Sequence, residues 1–343
     1  MKSIIDSRNA MVKSRNKIED EKNEERLPNH YVACPDSSAM TVPILLSESP
    51  EHFSHAESLA DGIEAKLDWK HTESLSRGNT LSDECEMEGV SPESITSIHL
   101  PPGTSQPRGL SVAPGNVGDI TDFVHNAFGE RVEPEWLTVH TTRTFDYREH
   151  VERLATITEV GGYPLAVENT PDASCYHTPE DIAALAFLTE QVPRLDDVSI
   201  LIDTAHVAME RRKLTVDDTA FESVLERADE QLRDQLSGVF QQFLQDNVEH
   251  RMNDPDLDAA PPTEESPWRP VFVTLSIVGG SRIQAIHLND PTSDGLPETK
   301  HPADGLRWVL SYCNEHDIAV VLEPGGADRE SIAETISELP IVG

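Results

Sequence analysis

Four short runs decide how this chain is read: Leu165-Ala166-Val167-Glu168-Asn169-Thr170, Leu201-Ile202-Asp203-Thr204-Ala205-His206, Ala285-Ile286-His287-Leu288-Asn289-Asp290 and Val320-Val321-Leu322-Glu323. Each is an apolar, strand-like run closed by a residue able to ligate a metal. A carboxylate set directly after buried-type residues faces a large desolvation cost unless a cation receives it, and a divalent ion is the simplest receiver. Four such endings in the order Glu, Asp, His, Glu fit a parallel barrel, which gathers its chemistry at the C-terminal ends of its strands.

Working outward, strands are expected at 42–46, 62–67, 95–100, 136–141, 163–169, 198–203, 282–288 and 318–323. Helical rhythm fills 119–128, 148–160 and 179–191, the last opened by Thr178-Pro179-Glu180 with the threonine placed to cap, and Ser49-Pro50-Glu51 marks another helix start. Eight strands alternating with helices predict an α/β fold of the (β/α)8 TIM barrel type. The glycine pairs at 161, 279 and 325 have the wrong spacing for a dinucleotide fingerprint or a P-loop, so no nucleotide cofactor is expected.

Residues 1–39 are polar, with the charge run 19–26, and read as an appendage; 40–343 reads as one barrel domain. An insertion is expected at 207–281, between strands six and seven. Within it Phe221, Val224, Leu225, Ala228, Leu232, Leu236, Phe240 and Phe243 recur at helical spacing, and 253–267 is acidic and proline-rich. An elongated outer helix with a following loop is the simpler reading, a lid or an oligomer contact the alternative.

The net charge of −35, from 62 acidic against 27 basic residues, resembles that of proteins from haloarchaeon-like organisms with molar internal salt, where self-repulsion is screened. Stability is therefore expected to rise with salt. The charge weakens the case against an anionic partner without removing it, because phosphate contacts also lose strength as salt rises. Cys34, Cys85, Cys175 and Cys313 lack paired spacing, which implies reduced thiols. No apolar core for a signal peptide lies in 1–26, and no run of about 18 apolar residues occurs, so a soluble cytoplasmic protein away from membranes is expected.

The ordered set Val-Glu168-Asn-Thr, Asp203-Thr-Ala-His206, His287-Leu-Asn-Asp290 and Leu-Glu323 resembles the xylose-isomerase-like TIM barrel superfamily, which holds sugar isomerases and epimerases and the endonuclease IV group. The likeness spans about 40–343. In the epimerase branch it implies that Glu168, Asp203, His287 and Glu323 hold one divalent ion, Mn²⁺, Mg²⁺ or Co²⁺, with Glu168 and Glu323 also moving protons and His206 touching substrate. Three carboxylates and an imidazole form a mostly hard oxygen site suited to such ions.

The endonuclease IV branch implies zinc and more ligands: His99 and His140 on a further ion bridged by Glu168, and His206 with His301 on a third. That group has an aspartate where this chain has Thr299, and a hydroxyl replaces a carboxylate on zinc poorly. For a phosphorylated substrate, Gly325 and Gly326 before a helix, with Arg143 and Lys300, are candidate anion contacts, although Asp328 reads equally as that helix's cap. Arg211-Arg212-Lys213 reads as a solvated helix face. The resemblance thus puts first an isomerase or epimerase of a sugar or sugar phosphate. An abasic-site endonuclease acting on DNA comes second, and a barrel that binds metal or sugar without turnover third. Oligomeric state is open.

Overall fold

The computed structural model describes residues 42–75, 77–103, 110–113, 115–129, 131–141, 147–170, 178–209, 242–243, 245–247, 259–293, 295–299 and 304–339. The chain divides at 39/40, and the barrel lies wholly in the second unit.

Eight parallel strands close into a barrel in chain order: β1 (Ile44–Glu48), β2 (Gly62–Lys66), β3 (Ile95–His99), β4 (Trp136–Val139), β5 (Leu165–Glu168), β6 (Val198–Asp203), β7 (Ile283–His287) and β8 (Ala319–Leu322). Every one lies within two residues of its expected limits. The helices described are α1 (Phe53–Glu57), α2 (Trp69–Leu75), α3 (Leu81–Glu88), α4 (Val117–Ala127), α5 (Tyr147–Gly161), α6 (Pro179–Gln191), α7 (Thr204–Met209), α8 (Arg269–Val278), α9 (Asp304–Glu315) and α10 (Arg329–Glu338). None is long and apolar enough to cross a membrane.

Local chemistry sets the helix starts. The Thr178 hydroxyl accepts from the Asp181 amide at 3.2 Å and opens α6. Ser49 behaves differently from the simple expectation, because Pro50–His52 form a 3₁₀ turn before α1 and the serine side chain makes no cap bond. Proline at the first position already supplies the helical φ and removes one amide in need of a partner.

Alternation along the strands separates two cores. One parity, including Ile63, Ala65, Ile98, Leu137, Val167, Ile202, Ile286 and Leu322, joins the large cluster beneath the helices. The other parity points into the barrel, since successive strand residues face opposite sides. There Leu45, Trp136, Ala166, Leu201, Ala285, Ala319 and Val321 pack as a separate cluster, in which one indole is accommodated by three alanines on strands five, seven and eight. Two residues further along, toward the C-terminal end, the interior becomes polar: Ser47, Glu64, Ser97 and Thr138 are all buried. Beyond them come the side chains of the candidate site.

Of the segment 207–281, α7 leads out of β6, while α8 packs on α6 and α9 and serves as the barrel helix before β7. Most of the expected long helix at 221–243, and Arg211-Arg212-Lys213, lie outside the described residues.

Candidate metal centre

The C-terminal ends of six strands converge on one buried cluster. His99 closes β3, His140 lies one residue past β4, and Glu168, Asp203 and His287 close β5, β6 and β7. Glu323 lies one residue past β8, and β6 pairs with β7 so that Asp203 stands opposite His287. All but Glu323 are buried, and His206 at the start of α7 is partly buried at the edge.

Glu168 divides its two oxygens. Its Oε2 lies 3.0 Å from Nε2 of His99 and 3.0 Å from Nε2 of His140, and those two nitrogens are 3.4 Å apart. Despite this closeness Oε2 accepts no aligned hydrogen bond. A tetrahedral ion with ligand distances of about 2.0–2.1 Å spaces its ligands about 3.3–3.4 Å apart. The triangle therefore has nearly the dimensions of a coordination face, and a poor geometry for hydrogen bonding. Glu168 Oε1 faces the other way, 3.3 Å from His206 Nδ1 and 4.0 Å from His287 Nδ1.

A second donor set stands on that side. Glu168, Asp203 and His287 each place a ligand atom within 4.8 Å of the others, a wider and more oxygen-rich arrangement. His287 Nδ1 is buried, accepts nothing, and stands 3.8 Å from Glu323 Oε1. Glu323 is held meanwhile by Lys66, whose ammonium pairs with Oε1, and by Asn289 Nδ2, which donates to Oε2 at 3.1 Å. Asn289 also donates to Asp203 Oδ2 at 3.2 Å and so spaces the two acids. Asp203 does cap α7, accepting from the His206 amide through Oδ1 at 2.9 Å, while Oδ2 stays toward the cluster.

The electrostatics set buried carboxylates against buried imidazoles. Burial opposes ionisation of Glu168, yet His140 and His99 outweigh it and hold the carboxyl well below its usual range. Burial would neutralise His99, but Glu168 and Glu64 push it up to about 10. Against the same opposition from burial, Glu168 and Asp203 raise His206 to about 9, and Glu64 and Glu323 raise His287 to about 9. Asp203 is pushed up to about 6 by burial and by the neighbouring Glu168. Protonated His99, His206 and His287 thus balance the buried carboxylates. Unpaired buried donors, a triangle of coordination size and mixed imidazole and carboxylate ligands together fit divalent ions.

Above the centre lies a cleft of about 1010 Å³ between the ends of β1, β2 and β8. Lys66, Asn289 and Glu323 contribute to its lining, together with the acidic side chains Glu48, Glu51, Asp68 and Asp328. Gly325 and Gly326, with φ of 57° and 93°, make the turn after β8 in its wall. The carboxylate of Asp328 takes the Ser331 amide at 2.9 Å, so the start of α10 is already capped by an anion.

Among the expected site residues, Glu168, Asp203, His206, His287, Glu323, His99 and His140 come together. His301, Arg143 and Lys300 lie outside the described residues. Two further residues join the site that the strand-end pattern did not single out, Glu64 and Lys66 of β2. Thr299 is turned elsewhere, since its hydroxyl donates to Glu338 Oε2 of α10 at 2.9 Å. Thr299→Asp is therefore expected to set two carboxylates against each other, lowering thermal stability by roughly 1–3 kcal/mol with no gain in zinc content. Zinc analysis alongside thermal unfolding checks this, and an added equivalent of zinc would reinstate a third ion.

No family model matches the sequence, and no curated protein does. Solved structures of similar fold include a 3-keto-D-glucoside 4-epimerase from E. coli, 10% identical over 87% of this chain and 98% of that one, with a TM-score of 0.48. An AP endonuclease of family 2 from Brucella melitensis is 12% identical over 87% and 97%, with a TM-score of 0.46. A D-psicose 3-epimerase from Clostridium cellulolyticum H10, solved with D-tagatose, is 12% identical over 88% and 91%, with a TM-score of 0.45. Two of these neighbours are named as epimerases and one as an endonuclease. At such identities and TM-scores they assign no reaction to this chain, and the barrel rests on its own strand pairing.

Proposed function

We propose that the protein is a two-ion hydrolase of a phosphoester, related in chemistry to the endonuclease IV group. The observation that carries this is Glu168, whose oxygens serve two donor sets: His99 and His140 on one side, Asp203 and His287 on the other. Divalent ions held by these residues would supply the Lewis acidity and the water of lowered pKa that attack on phosphorus requires. In that reaction water adds to phosphorus, the P–O bond to the leaving alcohol breaks, and the water's proton ends on that alcohol.

The chain's own residues then have distinct work. Glu168, His99, His140, Asp203 and His287 would hold the ions, with Glu323, now paired to Lys66, beside the second set. Lys66 is half-exposed at the cleft and positioned to meet an anionic oxygen. His206 commits Nδ1 to the Asn169 carbonyl at 2.9 Å, which leaves Nε2 as the nitrogen to face substrate.

The same feature weighs against the epimerase chemistry that the resemblance puts first. A carboxylate flanked by two imidazoles and held far below its usual range is a poor acceptor for a carbon-bound proton. One observation nevertheless favours that second reading, a sugar isomerase or epimerase: the acidic lining of the cleft suits a neutral sugar better than a phosphate backbone.

Protein loaded with Zn²⁺, Co²⁺ or Mn²⁺ is to be assayed in molar KCl on an abasic duplex, on a small aryl phosphodiester, and on a ketose panel for carbon-bound proton exchange. Metal-dependent P–O cleavage is expected. Exchange without cleavage would establish the isomerase, and neither activity would leave a binding barrel.

A further inference from the structure

Glu64 sits in the middle of β2, fully buried one layer beneath the ligands. Its Oε1 accepts from Ser47 Oγ at 2.8 Å and from His287 Nε2 at 3.0 Å, with His99 Nδ1 at 3.5 Å. Its Oε2 accepts from Thr138 Oγ1 at 3.0 Å and, more weakly, from Ser97 Oγ at 3.3 Å. A carboxylate offers about four lone-pair sites, and here they are taken up by side chains of β1, β3, β4 and β7. These bonds hold both oxygens of Glu64, which also stands with His99, His287 and Glu323 in a group whose ligand atoms lie within 4.8 Å of one another.

What those bonds achieve is orientation. With Nε2–H of His287 committed downward to Glu64, Nδ1 is the nitrogen left bare, and it faces Glu168 and Glu323. His99 Nδ1 stands 3.5 Å from the same oxygen, a charge contact without an aligned hydrogen bond, and its Nε2 faces Glu168 Oε2. One imidazole belongs to each donor set, and one carboxylate oxygen serves both, as a hydrogen-bond acceptor for His287 and as a charge contact at 3.5 Å for His99. Metal-ligating histidines ordinarily have a separate partner each for the second nitrogen.

We propose that Glu64 is the positioning residue shared by the two donor sets, fixing the ring orientation of His287 and His99 together, so that the affinities of the two ion sites are coupled through it. This rests on the two-ion reading above but not on the reaction assigned to it.

The test is titration with Co²⁺ of the metal-free wild type and of Glu64→Gln, followed by calorimetry and by visible absorption of the bound ion, with thermal unfolding of both metal-free forms. The wild type is expected to take two ions. Glu64→Gln is expected to lose about 10–100-fold in affinity at both sites, the range for losing such a partner, with an altered Co²⁺ spectrum. Thr138→Val, which removes one hydroxyl bond to Glu64 and leaves every proposed ligand side chain in place, is expected to weaken both sites several-fold, and it serves where Glu64→Gln does not fold. Unchanged affinity, or loss confined to one site, overturns the proposal even where the melting temperature falls, since a merely structural Glu64 changes only the latter. A wild type that takes up a single ion overturns the two-ion reading and the coupling with it.

Discussion

Replacing Glu168 by Gln is expected to abolish turnover and to remove bound metal from both donor sets at once. Glutamine keeps the volume but gives one weak donor oxygen and one amide nitrogen, so neither His99 and His140 nor Asp203 and His287 retain a bridging anion. The loss should exceed the roughly 10–100-fold in affinity that follows from disturbing a partner behind a ligand. His99→Ala should empty only the imidazole-rich set, so metal counts of the two variants separate a shared ligand from a private one. Retained activity within tenfold of wild type in Glu168→Gln would remove the site assignment altogether.

The second large effect concerns pH in metal-free protein. His99, His206 and His287 carry folded pKa values of about 10, 9 and 9 against 6.5 for the free side chain. Raised values mean that the folded state holds protons the unfolded chain has released. Their stabilisation is complete below pH 6.5 and is lost as pH climbs through 9 to 10. Asp203 titrates below this window, at about 6, and the buried Cys85 thiol above it, pushed up to about 12 by burial. Between pH 7 and 9 the melting temperature of chelator-treated protein is therefore expected to fall, by on the order of 10 °C. With Co²⁺ present the slope reverses, because ligands must lose protons to bind an ion and do so more easily at high pH. Differential unfolding with and without Co²⁺ across this range measures the gap, and a gap that stays constant with pH would mean that the imidazoles are not ligands.

The barrel was legible because its strands are short apolar runs bounded by clear turns, and because ligands at strand ends interrupt apolar sequence conspicuously. Glu168, Asp203, His287 and Glu323 stood out in that way. Glu64 did not, since Gly62-Ile63-Glu64-Ala65-Lys66 reads as an alternating strand with one polar face, and alternation is what solvent exposure also produces. The discriminating sign was the company it keeps: Ser47, Ser97 and Thr138, small hydroxyls at matching depth on adjoining strands, leave space and hydrogen-bond donors for one buried carboxylate. Ranking the chemistry required distances. Sequence shows that Glu168 and two histidines exist, but only packing shows that one oxygen meets both imidazoles while the other faces Asp203 and His287. The sequence places Thr299 where an aspartate ligand is expected, and packing adds that its hydroxyl is bonded to Glu338 of α10.

Trp136 and the alanines around it have a consequence for traffic through the barrel. With the axis stoppered at its N-terminal end, the chamber is closed from below, and among the described residues the cleft between β1, β2 and β8 is the route by which ions and substrate would arrive. A molecule resting in that passage must also detain whatever lies beneath it, so chelators should strip ions slowly from protein whose mouth is filled and quickly from protein whose mouth is clear.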